Sequence, residues 1–246
     1  MVLASKPNSR LASRVLPPPL YRALTHTFAQ SLQDVLLVGG TGLSGYYAGH
    51  RRSDDLDLFT KDALAQRAAV LAVKSLDALG AALADERSSA QFYHATWRLD
   101  EHDFTAQVVL DGNLFTIGAG IEADDGVVVA TAKTLLKMKA ATLVSRASEK
   151  DLYDLAWFFA NDERLDVPTL MALGKEVDGG VNAEAVLISL VGTEMHESAC
   201  DFSLSRSAKE VLEEVTRVRT GLIEGMETAL RNQPAPPIAE LIRRLR

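Results

Sequence analysis

A glycine turn between an apolar strand and an acidic strand is the feature that most constrains this chain. Val35–Val38 runs into Gly39-Gly40-Thr41-Gly42, and the segment Asp55-Leu56-Asp57-Leu58 follows closely. Side chains at positions i and i+2 of a strand point to the same face, so we expect Asp55 and Asp57 to project together while the leucines enter a core. Two like charges held side by side need neutralisation. Mg²⁺ commonly binds one or two carboxylates together with substrate phosphates, and the pair is therefore a candidate metal site.

The glycine turn is expected to present backbone N–H groups to phosphate oxygens. Gly39, Gly40 and Thr41 are candidate nucleotide-binding residues, and Ser53 and Arg51 follow them at short range, where the arginine could neutralise a triphosphate. Combined with the carboxylate pair, the turn indicates metal-assisted nucleotidyl or phosphoryl transfer.

The same turn also fits the strand-turn-helix of a dinucleotide-binding unit, which makes an NAD(P)-binding oxidoreductase an alternative. The segment 45–52 contains Gly49, His50, Arg51 and Arg52 and makes a poor crossover helix. The pattern after Val129 is helical, which leaves too few strand–helix units for a doubly wound sheet.

A second group of chemically active residues lies between positions 139 and 154. Lys139 and Arg146 are seven residues apart and would share a helix face that could hold phosphates. Asp151 and Asp154 lie one turn apart on the next helix. Asp151 also has a purely structural interpretation, because Ser148 at an N-cap with Asp151 three residues later fits a capping box. Asp111 is a further candidate carboxylate at a strand end, although Gly112-Asn113 behind it favours a turn.

Composition narrows the function classes. The 246 residues are 47% hydrophobic, and we expect one large or two modest domains, without an apolar run long enough to span a bilayer. The single cysteine fits a reducing cytoplasm, and no Cys/His cluster suggests zinc. A net charge of −7 excludes a basic field over the whole molecule, so any nucleic-acid contact needs a local patch.

Hydrophobic periodicity divides the chain into two halves. Residues 1–20 are expected to be irregular. The predicted helices and strands of the first half are a helix over 20–32, strands over 34–38, 55–59, 91–99, 104–110, 114–117 and 127–129, and a helix from 63 to 79. Helices are predicted from 131 to 146, from 149 to 161 and over most of the remaining chain. We therefore predict an α/β core over residues 1–130 and a helical domain over residues 131–246.

These motifs together resemble the nucleotidyltransferase toxins of the AbiEii/AbiGii group. The resemblance rests on three segments: Gly39-Gly40-Thr41-x-Leu43; His50-Arg51-x-Ser53-x-Asp55-Leu56-Asp57-Leu58-Phe59; and Lys139, Arg146 and Lys150-Asp151-x-Tyr153-Asp154-Leu155. It implies an α+β fold with a polymerase-beta-like nucleotidyltransferase core and a mixed sheet, followed by a helical C-terminal half.

The resemblance also implies chemistry and partners. Asp55 and Asp57 would bind Mg²⁺, an NTP would be the donor, and Lys139, Asp151 and Asp154 would take nucleotide or catalytic roles. A cognate antitoxin protein and an RNA acceptor such as a tRNA 3′ end are the implied partners. A catalytically silent relative that acts by protein binding is a further alternative.

Overall fold

The strand Asp55–Thr60 (β2) is the central strand of a sheet, and its residues alternate between partly buried and fully buried. Leu56 and Leu58 are fully buried, while Asp55, Asp57 and Phe59 are only partly buried on the opposite face. The computed structural model describes residues 5–245, and the predicted alternation of β2 is confirmed.

The sheet is mixed and has seven strands. Its spatial order is β3-β4-β5-β2-β1-β7-β6, where the remaining strands are Val35–Leu37 (β1), Ala82–Ser88 (β3), Phe92–Leu99 (β4), His102–Leu110 (β5), Gly120–Glu122 (β6) and Val128–Ala130 (β7). β2 pairs antiparallel with β1 and parallel with β5. A dinucleotide-binding βαβ unit requires parallel strands joined by a crossover helix, so the pairing of β1 with β2 excludes that alternative for the glycine turn.

The chain divides after Leu135 into two compact units. The first unit contains the sheet. Its helical elements are Ser9–Val15 (α1), Pro18–Phe28 (α2), a π-helix Thr41–Ala48, Ala63–Lys74 (α3), a 3₁₀ turn Ser75–Leu79 and Gly112–Ile117 (α4). Helices α2 and α3 cover the face of the sheet that carries the buried leucines of β2.

The second unit is helical. Ala132–Thr142 (α5) leads into it, and the other helices are Glu149–Asn161 (α6), Val167–Val177 (α7), Ala183–Gly192 (α8), a 3₁₀ turn Glu197–Ala199, Ala208–Leu230 (α9) and Ile238–Arg244 (α10). The long helix α9 packs against α6, α7, α8 and α10 through a buried stripe that includes Val211, Val215, Val218 and Leu222. No helix among residues 5–245 is long and apolar enough to cross a bilayer.

Three secondary-structure predictions were wrong. The lead-in contains α1, which Asn8 caps through its side chain, and residues 1–4 of that prediction lie outside the described residues. The predicted strand 114–117 is part of α4, because the Asp111 side chain accepts from Leu114 N and begins a helix there. The predicted helix 131–146 ends at Thr142, since the chain turns before Ser148 takes the extended conformation that caps α6.

Candidate active site

The two carboxylates of β2 lie on the face of the sheet opposite the core. Asp55 Oδ1 accepts a hydrogen bond from Thr105 Oγ1 on β5 at 2.5 Å. Gln107 is the residue of β5 that pairs in register with Asp57. The neighbouring strand therefore places a hydroxyl and an amide beside the two carboxylates, and the Asp55 carboxylate is oriented by one of them.

The glycine turn after β1 packs directly against Asp57. Gly39 has φ of +66°, a left-handed conformation that favours glycine, and a Cβ at this position would lie 1.9 Å from Asp57 Oδ2. The backbone of β1 continues this contact, because Val38 N donates to the Asp57 carbonyl at 2.9 Å. Only glycine allows the turn and the carboxylate to come so close.

Gly40 brings the turn against a buried arginine. A Cβ on Gly40 would lie 2.3 Å from an Arg51 guanidinium nitrogen and 2.9 Å from Ser53 Oγ. Arg51 and Ser53 are each only 3% exposed. The sequence left open whether Arg51 is a surface residue, and the structure places its guanidinium inside, beside the glycine turn.

Thr41 connects the turn to the acidic strand. Its hydroxyl lies 2.9 Å from Ser53 Oγ and 2.5 Å from the Asp55 carbonyl oxygen. Thr41 opens the π-helix, in which the Gly42 N–H already donates to the Val38 carbonyl at 3.1 Å, and the first turn of a helix has further N–H groups without a carbonyl partner within it. The N-terminal end of this helix is therefore held next to Asp55 and Asp57, in the position from which backbone N–H groups can receive an anion.

The donor set of this cluster fits a hard divalent cation. Asp55 and Asp57 supply carboxylate oxygens on one face, which is the kind of ligand Mg²⁺ takes. Within residues 5–245 the structure shows no group of three or more His, Cys, Asp or Glu side chains that could hold a metal. The protein ligands at this site would thus be the two aspartates, and substrate and water oxygens would complete the coordination.

Asp111 is not part of this cluster. It caps α4 and its N–H donates to the Thr60 carbonyl at 2.9 Å, at the far end of β2 from Asp55. The local structural role that the sequence favoured for Asp111 agrees with this cap, and a rise of about 3.3 Å per residue puts Thr60 about 10 Å along β2 from Asp57.

The second predicted group forms a buried ion cluster in the helical unit. Lys139 Nζ lies 2.8 Å from Asp151 Oδ1 and 2.7 Å from Asp154 Oδ2. The Asp151 and Asp154 side chains are 2% and 0% exposed. Arg146 is largely exposed, yet its Nε lies 3.3 Å from Asp151 Oδ2, so all four predicted residues meet even though α5 ends before Arg146.

Two opposing effects set the ionisation of Asp151. Burial disfavours its charged form, but the Lys139 ammonium, the hydrogen bonds from Lys139 and Ser148, and the Arg146 charge together outweigh burial. The pKa of Asp151 therefore lies below its ordinary value. Asp151 is also N3 of α6, since its N–H donates to Ser148 Oγ, and the predicted N-cap at Ser148 is confirmed.

Sequence analysis missed Thr105 and Gln107. Both are ordinary polar positions in the alternating strand Phe104–Leu110, and their relation to the aspartates depends on a parallel register between strands about 50 positions apart. Alternation alone puts them on the polar face of β5. The identity of the neighbouring strand was needed to place them beside Asp55 and Asp57.

At the level of sequence, the chain is similar to an uncharacterized protein. No known family model matches the chain. An uncharacterized protein of Aquifex aeolicus (strain VF5) is 29% identical over 167 residues, which cover 64% of this chain and 73% of that protein.

Two solved structures are similar over nearly their whole length. JHP933 from Helicobacter pylori superposes with a TM-score of 0.50 at 17% identity, covering 92% of this chain and 97% of that one. The nucleotidyltransferase toxin MenT4 from Mycobacterium tuberculosis H37Rv superposes with a TM-score of 0.52 at 18% identity, covering 97% of each chain. Likeness at this level of identity is a likeness of fold, and it agrees with the mixed sheet described above. The predicted fold class is confirmed: the chain has an α+β fold with a mixed sheet and a helical C-terminal half, similar to the fold of MenT4.

Proposed function

We propose that this protein is a Mg²⁺-dependent nucleotidyltransferase that transfers a nucleoside monophosphate from an NTP to an acceptor hydroxyl. The observation that carries the proposal is the contact of the Gly39 backbone with the Asp57 carboxylate, on the strand face that Asp55 shares. A phosphate-binding turn and a cation-binding carboxylate pair are useful together only when a phosphate and a metal bind side by side.

Each residue of the cluster has a part in the proposed reaction. Asp55 and Asp57 would hold the cation, which when bound supplies charge neutralisation at the phosphates. The backbone of Gly39, Gly40 and Thr41 would receive the triphosphate, and Arg51 adjoins that turn with a guanidinium suited to phosphate oxygens. Ser53 fixes Thr41 through their hydroxyl contact.

The chemical step is a displacement at the α-phosphorus. The acceptor oxygen forms a bond to that phosphorus while the bond to the bridging oxygen breaks, and pyrophosphate leaves with the electron pair. The proton of the acceptor hydroxyl is taken up by water. Catalysis then depends on positioning and on charge stabilisation, as in other phosphoryl transfers.

Lys139, Asp151, Asp154 and Arg146 are proposed to contribute to the same reaction from the helical unit. Support comes from the sequence resemblance and from the cost of their arrangement. A lysine and two aspartates that are almost fully buried incur a large desolvation penalty, and such groups are often kept for function.

The proposed biological role is that of a toxin controlled by an antitoxin protein, with RNA, such as a tRNA 3′ end, as the acceptor. This role rests on the AbiEii/AbiGii resemblance and on the similarity of fold to MenT4. A chain that binds the partner protein without catalysis is the competing possibility.

The test is transfer of label from each α-³²P NTP to total RNA in Mg²⁺, comparing Asp57→Asn with Asp54→Asn. Asp54 is adjacent in sequence but lies 3.2 Å from His102 Nε2, outside the cluster of Asp55, Asp57 and the glycine turn. We expect labelled RNA with wild-type protein and with Asp54→Asn, and a loss of at least a hundredfold with folded Asp57→Asn. Wild-type protein that labels neither RNA nor protein with any NTP would refute the proposal, as would full activity of Asp57→Asn.

A further inference from the structure

The face of the sheet that carries Asp55 and Asp57 continues across three more strands toward β3. Register pairing connects each aspartate to one residue of β5, one of β4 and one of β3. The two cross-strand rows are Asp57, Gln107, His94, Arg87 and Asp55, Thr105, Thr96, Asp85. Both rows lie on the side opposite the core residues Tyr93, Ala95 and Trp97.

The direction of the proposed reaction assigns this face to the acceptor. β1 and the glycine turn flank β2 on one side, and β5 flanks it on the other. If the triphosphate lies on the turn, the leaving pyrophosphate lies on the β1 side of Asp57. The attacking and leaving oxygens are roughly in line, so the acceptor hydroxyl must approach from the β5 side, over Gln107 and His94.

The side chains on this face suit a nucleoside. The rings of Phe92 and His94 are stacked, with centroids 6.2 Å apart and planes 10° apart, and Phe92 is 37% exposed. Any of the four bases can stack on such a ring pair, because every base has a π-face. Gln107 on β5 adds a hydrogen-bonding group between the rings and the aspartates, and Thr96 adds another on β4 beside His94.

The charges on the β3 and β4 strands are locally balanced. Arg87 Nε lies 3.4 Å from Asp85 Oδ2, and Arg98 makes two hydrogen bonds to Asp103 at 2.6 and 2.7 Å. Arg87 is 81% exposed and stands at the outer end of the first row, where it can exchange its exposed carboxylate partner for a backbone phosphate. The face therefore offers stacking near the centre and the exposed guanidinium of Arg87 at its edge.

The spacing between the strands also suits the end of a nucleic-acid strand. Neighbouring strands are about 4.8 Å apart, so His94 stands roughly 10 Å and Arg87 roughly 14 Å from the Asp57 strand. A terminal nucleoside over Gln107 and His94, with the preceding phosphate toward Arg87, would place its hydroxyl next to the carboxylate pair.

We propose that the β3–β4–β5 part of this face is the acceptor subsite, where Phe92 and His94 stack the terminal base of a single-stranded polynucleotide and Gln107 orients its sugar. This inference rests on the proposed function for the position of the attacking group. Its observable consequence, binding of a strand end without NTP, does not require catalysis.

Binding of a fluorescent single-stranded RNA oligonucleotide with a free 3′ hydroxyl, measured by anisotropy in Mg²⁺ without NTP, tests the proposal. We expect His94→Ala and Phe92→Ala each to weaken binding by roughly 5- to 150-fold, the loss typical of one base–aromatic stack. The matched controls are His196→Ala, a histidine that is 66% exposed in the helical unit, and Leu71→Ala, an apolar residue that is 69% exposed on α3. Neither control should change the dissociation constant.

A kinetic comparison separates the acceptor side from the donor side. In the labelling assay, His94→Ala should raise KM for the acceptor and leave KM for the NTP unchanged. The inference is overturned if His94→Ala and Phe92→Ala bind the oligonucleotide like wild type, if only KM for the NTP changes, or if the wild type labels protein and binds no oligonucleotide. A wild-type protein that transfers no nucleotide to any acceptor would refute the proposed function, whereas transfer that is unaffected in both variants would refute this inference alone.

Discussion

Replacing Gly39 by alanine should inactivate the protein without unfolding it. The new Cβ would lie 1.9 Å from Asp57 Oδ2, and ordinary van der Waals contact begins at 3.4 Å. The carboxylate or the turn must therefore move by about 1.5 Å to restore normal contact. A misplacement of about 1 Å in an active site can reduce the rate ~100-fold, so we expect a loss of at least that size.

The expected loss of stability is modest and should leave the protein folded. An L-residue in the left-handed region costs about 1–2 kcal/mol. For a chain of this length, 1 kcal/mol corresponds to about 2–4 °C, and Gly39→Ala should melt roughly 2–8 °C below wild type.

Gly80→Ala is the matched control for backbone strain. Gly80 has φ of +82°, and a Cβ there would meet no atom within 4 Å. This variant should lose similar stability and keep full activity. The assays are thermal unfolding, transfer of label from α-³²P NTP, and Mn²⁺ affinity by calorimetry as a readout that does not need turnover. Equal activity in the two variants, or unchanged metal affinity together with full activity in Gly39→Ala, would refute the argument that Gly39 holds Asp57 in place.

Two further predictions concern the buried ion cluster of the helical unit. Lys139→Met removes the ammonium group shared by Asp151 and Asp154, which should lower the free energy of unfolding by roughly 3–5 kcal/mol and the melting temperature by roughly 6–20 °C. The control Lys133→Met, at an exposed position of the same helix, should melt like wild type. Equal melting temperatures of the two variants would contradict the prediction. Because the pKa of Asp151 is lowered in the folded state, its ion pairs stabilise the fold above about pH 4, and this contribution disappears as the pH falls through the folded-state pKa. In urea unfolding between about pH 5 and 2, the free energy of unfolding should therefore fall more steeply with decreasing pH for wild type than for Asp151→Asn.

The parts of the fold that the sequence predicted depend on short-range pattern. The period-2 alternation in Asp55–Thr60 places Asp55 and Asp57 on one face whatever strands pair with β2. The N-cap at Ser148 likewise needs only the hydroxyl and the N–H three residues later. Such features are set within a few residues, and the structure confirms both.

Other features depend on partners far along the chain or on competition between local preferences. β3 is exposed along its whole length, and its pairing with β4 shifts register between Leu83 and Asp85, so the strand has no alternation of buried and exposed residues to detect. Residues 114–117 are apolar and strand-like, yet the Asp111 side chain begins a helix at that point. Thr105 beside Asp55 follows from a parallel register that no local pattern encodes.

Hydroxyl residues cluster between the glycine turn and β2 because they bind backbone carbonyls there. The π-helix holds Thr41 and Ser44 on the side that faces residues 51–55, where Thr41 donates to the Asp55 carbonyl and Ser44 to the Arg51 carbonyl. Backbone carbonyls of a buried loop must find donors, and these two side chains provide them without adding charge. Neutral groups thus supply part of the contacts that fix the position of the loop, and the Arg51 guanidinium adds another, because its Nη1 donates to the Arg52 carbonyl at 2.9 Å. π-helical turns often occur at functional sites, and here the turn lies between Gly39-Gly40 and the strand that carries the two carboxylates.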